Sequence, residues 1–163
     1  MQSGKVRHIV KAGLVAALYS VLTIILAPIS FGLIQCRVSE ALCVLPAVMG
    51  SSVPGLALGC LVANLLTGAP VYDVVFGSLA TLIGALGTSI LSKRDMPVWT
   101  LPLPSIISNA LIVGTVLAFV YEVPASLPVC MLSVAAGEAV ATYALGLPFL
   151  YLIRKKNWDF IQD

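Results

Sequence analysis

Apolar residues run in long stretches along this chain, and charged ones interrupt them only at intervals. No Lys, Arg, Asp or Glu occurs within residues 12–36, 41–72, 74–92, 96–121, 123–137 or 139–153. Roughly 20 apolar helical residues cross the ~30 Å hydrocarbon core of a bilayer, so the pattern predicts membrane-spanning helices. The stretch 41–72 is too long for one span. Its residues would extend about 48 Å at ~1.5 Å rise per residue, and Pro46, Gly50-Ser51-Ser52 and Pro54 interrupt it. Six spans follow, approximately 11–27, 38–49, 54–70, 73–92, 104–121 and 126–152, filling residues 1–163 as a single membrane domain. Pro148, two residues after Gly146, is expected to kink or end the last helix.

The basic residues orient the bundle. Eight of the nine Lys and Arg fall in three places, Lys5 to Lys11, Lys93–Arg94 and Arg154 to Lys156. Cytoplasmic loops and tails collect such residues. Six spans with an inside N-terminus put all three clusters inside and leave only Arg37 outside. Five spans would turn the last two clusters outward. The expected fold class is therefore an all-α integral membrane protein of six transmembrane helices with both termini cytoplasmic. The basic start followed by an apolar run resembles a secretory signal, but no small-x-small cleavage site closes it, so it reads as the first span. The net charge of +2 is accounted for by topology and an acidic inner leaflet, and gives no reason to expect nucleic acid.

Polar groups inside the apolar stretches are the candidates for function, because burying them in a membrane is costly. Glu138 lies about a dozen residues into the last span. It reads either as a ligand-binding carboxylate or as a protonated acid bonded to a neighbouring helix. Asn109 enters the fifth span from the opposite side, and the helical rise puts both residues roughly 16–18 Å below the outer surface, where they can face one cavity. Asn64 in the third span reads as interhelical glue. The connector after the first span is polar and aromatic, with Phe31, Gln35, Arg37, Ser39 and Glu40. Arg37 and Glu40 at i,i+3 also fit an ordinary surface pair, and Ser39 a helix cap. Tyr72-Asp73 opens the fourth span, where a carboxylate is also a conventional cap. Arg37, Glu40, Asp73, Asn109 and Glu138 together converge on the outer half, and a pocket opening outward joins them.

Small residues recur at helical spacing, as Ala12-x-x-x-Ala16 and Gly13-x-x-x-Ala17 in the first span and Gly55-x-x-x-Gly59-x-x-x-Ala63 in the third. Such stripes let helices approach closely, within this bundle or against another membrane subunit. Cys36, Cys43, Cys60 and Cys130 show no paired metal spacing and read as small apolar groups, so no metal or cofactor is expected. The chain has no G-x-x-x-x-G-K-[ST], H-E-x-x-H or G-x-S-x-G motif, and its one histidine, His8, lies in the basic N-terminal segment. An enzyme is not expected, and if the chain moves a solute against a gradient, the energy is expected from a partner.

The block Pro28 to Leu42, the run Pro54 to Asn64 and the run Asp73 to Thr81, together with Ala12-x-x-x-Ala16 and six short spans, resemble the QueT family. Those are substrate-binding subunits of energy-coupling-factor (ECF) vitamin transporters. The resemblance covers nearly the whole chain, and implies capture of a queuosine precursor, queuine or 7-aminomethyl-7-deazaguanine, at the outer face of the bacterial plasma membrane. It also implies a membrane scaffold subunit docking on Ala12 and Ala16, and two cytoplasmic ATPases. A 7-deazaguanine presents adjacent N–H and NH2 donors, which one carboxylate accepts together, and Glu138 suits that role. Asn109 or Arg37 would donate to the ring carbonyl. Glu40 or Asp73 would attract a cationic aminomethyl group, and Tyr72, Phe31 or Phe76 would stack on the flat base. Two other readings stay open, a binding subunit for a different vitamin-like solute and a stand-alone proton-coupled carrier using Glu138.

Overall fold

The computed structural model describes residues 2–27, 37–121 and 124–156. They form six helical elements in chain order, and no strand occurs among the described residues. The first, α1, is Gln2–Ile25; α2 is a 3-10 helix, Val38–Ala47; α3 is Ser52–Leu66. α4 spans Asp73–Lys93 and opens with a π-helical turn, Asp73–Gly77. α5 spans Val98–Phe119, and α6 spans Leu127–Lys156 with a second π-helical stretch, Val140–Gly146, in its middle. Of these, α1, α4, α5 and α6 are long and apolar enough to cross a membrane.

The second element departs from the expected span over 38–49. It has 10 residues wound as a 3-10 helix, about 20 Å at ~2.0 Å per residue, and Ser39 through Pro46 are all buried. Its apolar character serves a protein core rather than lipid, and the two cannot be told apart by composition because both exclude water. α2 packs against α1, α3, α4 and α6. The third element is also shorter than expected. It stops at Leu66, where Gly68 adopts φ 69° and the amides of Gly68 and Ala69 bond back to Leu65 and Asn64, a Schellman C-cap.

Pro148 does not end the last helix, which continues to Lys156. The preceding π turn widens the backbone ahead of the proline, whose ring would clash with a regular α turn. That turn also presses Gly146 against α2, where a β-carbon would stand 2.9 Å from the Ala41 carbonyl oxygen.

The small-residue stripes of α1 and α3 pack on each other. A β-carbon on Gly55 would lie 2.6 Å from the Ala12 carbonyl oxygen, and one on Gly59 would lie 2.9 Å from that of Ala16. The Ser20 hydroxyl adds a 3.0 Å bond to the Gly59 carbonyl. Outward faces are apolar: on α4, Val75, Leu79, Ile83, Leu86 and Ile90 form one exposed helical stripe, as lipid contact requires.

Candidate functional site

Inside this apolar bundle lies a cluster of buried polar side chains drawn from every helix. Arg37 and Glu40 carry its first half. They are 5% and 1% exposed, so they are not the surface pair that their spacing also allowed. Burial follows from the position of α2 at the centre of the bundle, where a charged group needs partners.

Glu40 has them. One carboxylate oxygen accepts from the Tyr19 hydroxyl of α1 and lies 3.3 Å from the Thr81 hydroxyl of α4; the other accepts from the Cys43 thiol at 2.8 Å. Cys43 is therefore not a bland apolar group. One turn along α1, the hydroxyls of Thr23 and Ser39 meet at 2.7 Å, so Ser39 ties α2 to α1 instead of capping a helix.

Arg37 reaches from α2 towards α3 and the start of α4. Its guanidinium approaches the Cys60 thiol at 3.9 Å and couples electrostatically to Tyr19, Glu40 and Asp73. Asp73, 6% exposed, does not cap α4. One carboxylate oxygen accepts a 3.0 Å bond from the Tyr121 hydroxyl, and its backbone carbonyl accepts a 2.9 Å bond from the Asn64 amide. Tyr121 lies beyond the end of α5. Partial burial first, then the bond to Asp73, pushes its hydroxyl up to about 12, so it remains a donor. Asn64, fully buried, binds α3 to the start of α4 in the way interhelical glue should, yet its side-chain oxygen has no hydrogen-bond partner among the described residues.

The second half comes from α5 and α6. Asn109 is 3% exposed and donates to the Ser105 carbonyl at 3.2 Å; Ser108 bridges to the Ala80 carbonyl of α4 at 2.9 Å. Glu138 is 5% exposed, one residue before the end of the regular part of α6, where its backbone carbonyl accepts from Thr142. Its carboxyl is close enough to Cys43 to couple electrostatically, as does that of Glu40.

Arg37, Glu40, Asp73, Asn109 and Glu138 are thus all buried, and four of them share a connected polar interior. Tyr72 and Phe76 are not with them: both lie on the exposed side of α4, at 51% and 39% exposure. Phe31 and Gln35 lie outside the described residues. Ala12 and Ala16 are half-buried against α3. The sequence reading missed Tyr19, Thr81, Cys43 and Tyr121. Cys43 stands one turn after Glu40, so a search for donors around that carboxyl could reach it, whereas Tyr19, Thr81 and Tyr121 come from other helices or connectors and meet their carboxyl groups only through packing. The Glu40 and Asp73 carboxyl groups share the Arg37 guanidinium, and the buried Glu138 adds a third carboxyl to the interior, an acceptor-rich set that suits a ligand rich in N–H groups.

A family profile described as QueT transporter matches residues 9–155. Among curated proteins, the queuosine precursor transporter QueT of Lactococcus lactis subsp. cremoris (strain MG1363) is 39% identical over 85 residues, covering 51% of this chain and 50% of that relative. The chain therefore aligns with about half the length of that relative. No solved structure matches.

Proposed function

Since this chain belongs to the QueT transporter family, a family of multi-pass proteins of the bacterial plasma membrane, we propose that it captures a queuosine precursor, queuine or 7-aminomethyl-7-deazaguanine. In this reading it is the substrate-binding subunit of an ECF-type importer. It takes its ligand from the outer face and delivers it inward with a membrane scaffold subunit and two cytoplasmic ATPases, which supply the energy.

The observation that carries the reading is the excess of buried carboxyl groups in an otherwise apolar bundle. A 7-deazaguanine offers adjacent ring N–H and exocyclic NH2 donors, a pair that one carboxylate accepts side by side. Glu40 is the poorer choice, because Tyr19, Thr81 and Cys43 already occupy it; its work is to hold α1, α2 and α4 together around the site. Glu138 then takes the guanine-like edge, with Asn109 or Arg37 donating to the ring carbonyl. Asp73, beside Arg37 and Tyr121, takes the cationic side arm. The scaffold subunit meets the outward side of α1, where Gly13, Leu14, Ala17 and Leu18 are exposed next to the half-buried Ala12 and Ala16.

A thermal-shift series on the purified chain tests this with queuine, the aminomethyl precursor, guanine, riboflavin and thiamine. The two deazaguanines are expected to raise the melting temperature and the last two to leave it unchanged. Glu138→Gln exchanges one acceptor oxygen for a donor and removes the charge, and is expected to weaken binding roughly tenfold to a hundredfold. Unchanged affinity in Glu138→Gln overturns the role of Glu138; a shift with riboflavin or thiamine but neither deazaguanine overturns the substrate.

A further inference from the structure

Asn64 is pinned through both its side chain and its backbone, yet one of its polar atoms is unspent. The side-chain amide donates to the Asp73 backbone carbonyl at 2.9 Å and approaches the Cys60 sulfur at 3.5 Å. The backbone carbonyl accepts from the Ala69 amide at 2.9 Å and from the Thr67 hydroxyl at 3.2 Å. The bond to Asp73 fixes which end of the side chain is nitrogen, since a carbonyl oxygen pairs only with a donor. The other end is a buried acceptor that no donor among the described residues reaches, a costly state that folded proteins rarely keep. We propose that Asn64 is a specificity-determining residue for the ligand's side arm, its side-chain oxygen accepting an N–H from a primary ammonium group drawn in by Asp73. The proposal rests on the assignment of the cationic arm to Asp73.

The bond to the Asp73 backbone keeps the Asn64 oxygen close to that residue. Gly77, in the π turn that opens α4, leaves space in the same corner. A β-carbon there would stand 3.2 Å from Asn64 Nδ2, 3.7 Å from Arg37 Nη1 and 4.0 Å from Cys60 Sγ, so these polar groups face a residue with no side chain. Tyr121, which donates to Asp73 at 3.0 Å, is only partly buried, and the corner lies within one side chain of the surface. A primary ammonium points three N–H donors in different directions. The Asp73 carboxylate already accepts from Tyr121 and stands beside Arg37, which limits how many of those donors it can take. The Asn64 oxygen is a further acceptor, neutral and already oriented, so binding pays little to order it. An arm without N–H groups gains nothing from it. The corner therefore reads the number of donors on the arm as well as its charge.

Isothermal titration with 7-aminomethyl-7-deazaguanine and with 7-methyl-7-deazaguanine, whose arm has no donor, tests this through the ratio of the two affinities. Asn64→Ala and Asn64→Asp both break the bond to the Asp73 carbonyl, but only the aspartate keeps an acceptor. Asn64→Ala is expected to lower the preference for the aminomethyl arm about tenfold, and Asn64→Asp to keep or raise it. Equal loss in the two variants overturns the proposal, because Asn64 would then act only by holding α3 on α4. An unchanged ratio in Asn64→Ala overturns it as well. The native chain gives a second test that needs no variant to fold. The N,N-dimethyl form of the aminomethyl ligand keeps the charge with a single N–H, and is expected to bind about tenfold more weakly than the primary amine; equal binding overturns the proposal. Equal affinity of the native chain for the methyl and aminomethyl ligands overturns the side-arm contacts alone, whereas binding of neither contradicts the proposed substrate itself.

Discussion

Glu40 shows what a buried charge requires. One oxygen accepts from a phenol of α1 and the other from a thiol of α2, while the Thr81 hydroxyl, which also donates to the Gly77 carbonyl, lies 3.3 Å away, so removing one donor leaves an acceptor stranded where water cannot replace it. Tyr19→Phe is expected to destabilise the chain by about 1–3 kcal/mol, read as a lower melting temperature in detergent. Thr115→Val, whose hydroxyl bonds only one turn back on a half-buried face of α5, should change it little. An equal effect of the two substitutions would mean that Glu40 is satisfied without Tyr19. Charged residues such as Arg37, Glu40, Asp73 and Glu138 were legible as special from sequence, since a membrane segment has few reasons to keep them. Their partners were not. Tyr19, Thr81 and Cys43 are residue types that apolar helices carry freely, and only the packing of α1 and α4 on α2 gives them a common target.

Helix pairing rests on close backbone approach. Gly59 leaves no room for a β-carbon, which would stand 2.8 Å from that of Tyr19, whereas Gly13 on the same pair of stripes has nothing within 4 Å. Gly59→Ala is therefore expected to cost about 1–3 kcal/mol by overpacking, while Gly13→Ala should be neutral or stabilise by up to ~1 kcal/mol through helix propensity. Thermal melts of the two variants separate the faces; equal destabilisation would mean that α1 meets α3 along a different stripe. The apolar stretches made the long elements α1, α4, α5 and α6 readable, because length and apolarity are what a bilayer demands. The 3-10 helix α2 was not readable as such. Its residues are as apolar as a span, and its burial on all sides is a property of its neighbours. The two π turns were equally hidden. They follow Tyr72 and Ala139 and so lie beside Asp73 and Glu138, where an added residue in the turn re-aims the side chains around it.

At the scale of the molecule, the chain divides into an apolar exterior and a carboxyl-rich interior. The apolar exterior suits lipid, and the proposed donor-rich ligand accounts for the interior. The interior is the part to which the proposed function assigns the ligand. Isothermal titration of the purified chain with 7-aminomethyl-7-deazaguanine, without partner subunits or nucleotide, tests that most directly. Saturable heat at one ligand per chain, absent with thiamine and weakened in Glu138→Gln, is the predicted result. A folded chain that takes up no deazaguanine, or binds it only once ATPase subunits are added, would contradict the account.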